Sequence, residues 1–142
     1  MSRFLLDTNV PSELTRTVSD PRVEQWLTRA DRLLLFFSAI SLGEVRKGTA
    51  ALSRGAKRLD LEQWIEHTLR PWFAGRILPV NDVIAERWGV LSAEQRLKGR
   101  PLGMADGLIA ATALEHNLTV VTRNIKDFTG LGVPILNPWE AD

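Results

Sequence analysis

The chain contains no cysteine, which excludes disulfides and thiolate zinc sites and leaves its compartment open. It also lacks any uncharged run approaching the roughly 20 residues of a membrane span. The only apolar run ahead of Asp7, Phe4 to Leu6, is too short for a signal peptide. Excess charge is missing too: 18 Lys and Arg stand against 17 Asp and Glu. With a net charge of +1, the whole molecule has no strong field to steer a polyanion. Any nucleic-acid contact must then come from local basic patches, a metal or a partner. The two histidines, His67 and His116, fall on predicted helices without an acidic partner at metal-ligand spacing. No phosphate-cradling glycine loop, nucleophile elbow, repeat or linker is present. The remaining composition, 44% apolar and 25% charged, is that of an ordinary globular protein. One soluble, cytoplasmic domain over residues 1–142 is expected.

Against that background, three carboxylates stand where the chain is otherwise apolar. Asp7 ends Phe4-Leu5-Leu6, Glu44 follows the uncharged stretch Leu33 to Gly43, and Asp106 interrupts an apolar run between Leu102 and Ala111. An ionised carboxylate in dry surroundings is costly unless a cation or a set of donors meets it. No Lys or Arg lies in an obvious pairing pattern with them. If the three converge, a bound divalent metal is the simplest compensation for their repulsion.

Alternating strands and helices predict an α/β sandwich with a mostly parallel sheet. Strands are expected at Phe4–Leu6, Leu33–Phe37, Ile77–Leu78, Leu118–Thr122 and Val133–Leu136. Helices are expected near Pro11–Arg16, over Pro21–Ala30, and from a cap at Ser38 or Ser41 to about Arg54. Another begins near Leu59, with Pro71 kinking it or ending it at Arg70. Asn81 or Asp82 caps a helix to about Lys98, closed by Gly99 and Pro101. The last runs from Leu102 to His116, with Asn117 as its stop. Ligands in such folds gather at the carboxyl ends of strands, where Asp7 and the turn Thr122-Arg123-Asn124 lie.

Each acid also has a plain structural reading. Asp7 suits a turn or a helix cap. Ser41-Leu42-Gly43-Glu44 fits a capping box, in which Glu44 would bond a backbone N–H of its own helix. Asp106 resists such a reading, because Ile109, Ala110 and Ala113 share its helix face. Small residues Gly107, Ala110 and Ala111 would let that helix approach the sheet closely. Asn124 could serve a metal or shape its turn. Asp127 reads as structural, an N-cap over Phe128, although a fourth acid is the alternative. The five tryptophans read as core. Arg46, Lys47, Arg54, Lys57 and Arg58, and separately Arg96, Lys98 and Arg100, could guide a phosphate backbone or simply form solvated faces. A haloacid dehalogenase-type phosphohydrolase would need a second Asp where Asn9 stands.

Leu-Leu-Asp7-Thr-Asn-Val, Ser41-x-x-Glu44, Asp106-Gly-Leu-Ile-Ala-Ala-Thr-Ala and Thr122-Arg-Asn-x-x-Asp127-Phe together resemble the PIN-domain ribonucleases. More narrowly, the set is similar to the VapC toxins of type II toxin–antitoxin systems. Similarity to their FitB branch extends to Trp72-Phe-Ala-Gly-Arg-Ile-Leu-Pro79 and Asn137-Pro-Trp139. The resemblance implies a PIN-like α/β/α fold and an endoribonuclease dependent on Mg²⁺, with Mn²⁺ as a possible substitute. It also implies a homodimer held inactive by a VapB/FitA-like antitoxin and meeting DNA only through it. Asp7 and Asp106 would bind the metal, and Glu44 would be the second acid. The position of the family's fourth acid falls on Asn124, a departure that makes Asp127 a possible substitute. A PIN-like binding subunit of an antitoxin–DNA complex, with little catalysis, is the alternative.

Overall fold

The computed structural model describes residues 2–140 and shows five parallel strands in the order β3-β2-β1-β4-β5. These are β1 (Phe4–Leu6), β2 (Leu35–Ser38), β3 (Ile77–Leu78), β4 (Thr119–Val121) and β5 (Ile135–Leu136). Phe4 pairs with Leu35 on one side and Thr119 on the other, so β1 is central. Its neighbours in sequence show why the sheet is covered on both faces. Leu6, Leu35, Phe37 and Val121 enter one core with Val10, Val23, Ile65, Leu69 and Phe73. Leu5 and Val120 enter the other with Leu91, Ile109, Ala110, Ala113 and Phe128. Alternation of side chains across the pleat thus builds two cores from one apolar strand. The result is the α/β/α sandwich expected, with every recorded strand pair parallel.

Helices α1 (Asn9–Glu13), α2 (Pro21–Arg29) and α3 (Ala39–Ala50) follow β1 and β2. α1 stops at Glu13, short of Arg16, because the buried Glu13 carboxylate accepts the Asp20 N–H at 2.9 Å and draws the chain back. Leu33 is not in a strand: the Asp31 side chain caps a 3-10 turn over Arg32–Leu34. α3 is capped by Ser38, whose hydroxyl accepts the Ile40 N–H at 3.0 Å, and it ends at Ala50 rather than Arg54.

α4 (Ala56–Trp64) runs through a π turn, Ile65–Leu69, into α5 (Arg70–Trp72). Pro71 therefore does not end the helix at Arg70. It supplies no N–H to the His67 carbonyl, and the Arg70 N–H instead reaches back five residues to Ile65. α6 (Asp82–Leu97) starts at an Asn81 cap, its side chain accepting the Ile84 N–H at 2.9 Å, and Gly99 follows at φ +73°. α7 (Met104–His116) ends at Asn117, left-handed at φ 55°. Gly107 serves α6 rather than the sheet, because a Cβ there would stand 2.7 Å from the Trp88 ring. Of the five tryptophans Trp139 is buried in the core, Trp26, Trp64 and Trp72 are half-buried and pack against it, and Trp88 is half-buried. No helix among the described residues is long and apolar enough to cross a membrane.

Candidate active site

The strand order runs outward from β1 to β2 and β3, then returns to β4 on the other side of β1. The carboxyl ends of β1 and β4 thus flank the point where the chain reverses direction across the sheet, the usual ligand crevice of such folds. Asp7 follows β1 directly, and its N–H donates to the Val121 carbonyl at 2.8 Å. Its side chain is only 6% exposed. Three donors hold its carboxylate: the Thr8 N–H at 2.8 Å, the Thr122 hydroxyl at 2.8 Å and the Asn9 amide at 3.4 Å. Burial raises the Asp7 pKa, the Thr122 and Thr8 bonds oppose the rise, and the charges of Glu44 and Asp127 add to it.

Asp106 sits in the first turn of α7, opposite in character to Asp7. Among the described residues its carboxylate accepts no hydrogen bond from any donor. Ile109, Ala110 and Ala113 on its face are buried, as expected. Desolvation, then the charges of Asp127, Asp7 and Glu44, push its pKa up to about 6. Glu44, in α3, is exposed, and its Oε1 accepts the Thr8 hydroxyl at 2.7 Å. The capping-box reading fails because α3 begins at Ala39, which puts Ser41 inside the helix with its buried hydroxyl unpartnered.

The structure therefore brings Asp7, Glu44 and Asp106 within electrostatic reach of one another. It adds Asp127, which does not cap a helix as expected. Asp127 closes a 3-10 turn, Ile125–Asp127, and is the strongest charge acting on Asp106. Asn124 occupies the N-cap position of that turn, exposed, with no side-chain cap bond; its N–H donates to the Thr122 hydroxyl oxygen at 3.0 Å. None of the ion pairs among the described residues involves these four acids. Nor, among the described residues, do three acidic or imidazole side chains stand close enough to grip one ion directly. The four acids are thus a dispersed set of hard oxygen donors with no ion-pair partner among the described residues. That chemistry fits a divalent cation that keeps part of its water shell.

Residues 4–131 match the PIN domain family. The chain belongs to that family. Toxin FitB of Neisseria gonorrhoeae is 41% identical, the match covering 96% of this chain and 98% of that protein. A VapC ribonuclease of Sinorhizobium fredii is 38% identical over 96% of this chain and 98% of its own. A solved structure of FitAB bound to a DNA fragment superposes with a TM-score of 0.91 at 38% identity, covering 98% of this chain and 97% of that one. In this PIN domain the residues that hold the acids were missed in the sequence. Thr8, Asn9 and Thr122 look like ordinary turn and strand-end residues, and only the parallel β1–β4 pairing brings Thr122 to Asp7.

Proposed function

We propose that this chain is a metal-dependent endoribonuclease, the toxin of a type II toxin–antitoxin pair, formed as one PIN domain over residues 1–142. The observation that carries this reading is the convergence of Asp7, Glu44, Asp106 and Asp127, without a cation among them, at the reversal point of the sheet. The toxin and ribonuclease relatives, similar over nearly the whole chain, support it. Asp7 and Asp106 hold Mg²⁺, with Mn²⁺ able to replace it. When bound, the ion supplies charge to offset the phosphodiester and lowers the pKa of water.

The chain's own groups do the rest. The Thr8 N–H and Thr122 hydroxyl fix Asp7 as an acceptor. The Thr8 hydroxyl occupies Glu44 Oε1, leaving Oε2 to take the proton of the attacking water. Asn124 offers its amide from the β4 turn, and Asp127 adds a fourth acid. Exposed Arg96, Lys98 and Arg100 precede α7 and attract the phosphate backbone. Arg46 and Arg58 are less available, since they pair with Glu66 and Glu62. The chain works in the cytoplasm as a homodimer and is silenced by a small VapB/FitA-like antitoxin. DNA is met through that antitoxin, in keeping with the DNA-bound FitAB structure.

Incubating antitoxin-free protein with structured RNA and with a small phosphoester tests the reading. RNA cleavage in Mg²⁺ or Mn²⁺, abolished by EDTA and leaving 5′-phosphates, is expected. Cleavage without metal or a cyclic 2′,3′-phosphate product would overturn it. Hydrolysis of the small ester alone would make the protein a phosphatase, and no cleavage of either a binding subunit.

A further inference from the structure

Beside the acids, residues of α1, α3 and α4 enclose a cavity of about 210 Å³. Thr8 and Glu44 line it, and both also belong to the acidic site. The Thr8 N–H holds Asp7 at 2.8 Å, and its hydroxyl holds Glu44 at 2.7 Å. A group seated in the cavity therefore touches the residue next to Asp7. Among the described residues that line it there is no Lys or Arg, so it has no charge to offer a phosphate. One carboxylate alone is a poor cage for a cation. The space is below the ~300 Å³ at which drug-sized ligand sites begin, and suits a single planar ring system.

Its walls are of two kinds. Leu61 and the half-buried Trp64 of α4 give an apolar side with an aromatic face, on which a nucleobase can stack. The other side carries the hydroxyls of Thr8, Ser12, Thr15 and Thr49. Thr15 donates to the Ser12 carbonyl at 2.7 Å, and Thr49 to the Val45 carbonyl at 3.0 Å. With the Thr8 proton given to Glu44, three of these four hydroxyls have committed their protons and can only accept. An acceptor-rich wall favours a ring that brings N–H donors. Adenine and cytosine carry an exocyclic amino group where uracil carries a carbonyl oxygen. Gly48 keeps the cavity open: it lies one turn beyond Glu44 on α3, and a Cβ there would meet nothing within 4 Å.

We infer that this cavity is a nucleobase subsite, taking an amino-bearing base of the RNA strand beside the phosphate that is cut. This rests on the ribonuclease reading above and adds where the strand is gripped. Trp64 holds the ring by stacking, and the threonine oxygens choose among bases.

Gly48→Leu is the decisive variant, because its side chain enters the cavity and touches no acid. Leucine is also the better helix former, so the melting temperature should not fall. Trp64 walls the neighbouring apolar groove as well, which makes Gly48 the cleaner probe. Adenosine, cytidine and uridine are titrated in EDTA into protein with ¹⁵N-labelled indoles, the Trp64 signal being assigned with Trp64→Phe. Adenosine and cytidine should shift that signal and uridine should shift it less. Gly48→Leu should abolish the shift, and in RNA cleavage it should raise KM at least about tenfold. No shift with any nucleoside, a shift that survives Gly48→Leu, or an unchanged KM overturns the subsite. An equal shift with N-acetyl-leucinamide also overturns it, since the cavity would then take protein side chains. Loss of RNA cleavage by the wild type, with the nucleoside shifts intact, removes the ribonuclease reading and leaves the base pocket standing.

Discussion

The Thr122 hydroxyl donates to Asp7 Oδ2 at 2.8 Å while its oxygen receives the Asn124 N–H at 3.0 Å. Thr122 is fully buried, so its oxygen has no water to turn to. A weaker contact from the Asn9 amide, at 3.4 Å, fills the remaining acceptor direction. The hydroxyl proton is thereby committed to Asp7. One side chain joins the end of β1 to the turn that carries Asn124 and Asp127. Thr122→Val keeps the shape and removes the bond, leaving Asp7 and the Asn124 N–H each short of a partner. Loss of about 1–3 kcal/mol of stability is expected, together with weaker Mg²⁺ binding by calorimetry. Thr122→Ser should recover both; a serine variant as impaired as valine would show that the methyl group, not the hydroxyl, matters.

Asp106→Asn should separate stability from chemistry. It removes one of four mutually repelling charges at nearly constant shape. The rise of the Asp106 pKa from 3.8 to about 6 corresponds to about 3 kcal/mol at most. The carboxylate is partly exposed, and solvent screening reduces this to about 1 kcal/mol of expected stabilisation in EDTA. RNA cleavage should fall by at least about 100-fold, the upper end for loss of even an outer partner of a metal. Mg²⁺ should raise the melting temperature of the wild type more than that of the variant. Destabilisation in EDTA with an intact Mg²⁺ response would make Asp106 a structural residue.

The same shift fixes a pH dependence. Asp106 binds its proton more tightly in the folded chain than in the unfolded one. Its contribution to metal-free stability is full below about pH 4 and is lost as pH rises through about 6. Asp7, also raised, acts in the same direction. The stability difference between Asp106→Asn and wild type in EDTA should therefore grow between pH 4 and 6 and level off above. Urea melts across that range measure it, and a flat difference would mean that Asp106 titrates normally.

Asp127→Asn and Asn124→Asp probe the β4 turn with opposite signs. Removing the charge of Asp127 relieves the largest charge effect on Asp106, so the Asp106 pKa should fall by NMR titration. Asn124→Asp should lower metal-free stability and tighten Mg²⁺ binding if its side chain faces the other acids. An unchanged melt and an unchanged affinity would place Asn124 outside the pocket.

Gly107→Ala should disturb the site without touching an acid. The added methyl would stand 2.7 Å from Trp88 Cδ1 and 2.9 Å from Nε1, inside the α6–α7 contact. Overpacking of this kind costs about 1–3 kcal/mol. Because Asp106 is the preceding residue, the displaced helix should lower RNA cleavage as well. Trp88→Phe, which trims the ring, should recover part of both losses in the double variant.

Asp7 and Asp106 could be picked out in the sequence because charge amid apolar residues is a local anomaly. All five strands were legible for a related reason: short runs such as Leu5-Leu6 and Val120-Val121 carry apolar side chains to both faces. Asp127 was legible only as an alternative, a fourth acid set beside a structural cap, and Thr122 not at all as a partner of Asp7. Their meaning depends on which strand lies beside β1, and no local pattern states that β4, far along the chain, is the neighbour. Glu44 was ambiguous until Ser38 proved to be the cap, because Ser41-x-x-Glu44 is an equally good helix start. The π turn before Pro71 needed the Arg70-to-Ile65 bond to be seen.

Arg76 gives the apolar groove beside α2 a property its lining alone would not confer. That groove, about 510 Å³, runs past Leu27, Trp64, Leu69 and Trp72. Arg76 is nearly buried, donates to the carbonyls of Arg32, Leu35 and Trp72, and lies against the Trp72 and Phe73 rings. One cation thus ties a wall of the groove to the start of β2, the strand that leads through Ser38 into the helix of Glu44. A guanidinium keeps its charge at any physiological pH, so this strut holds across that range. A segment filling the groove would meet a wall already set at its Trp72 edge.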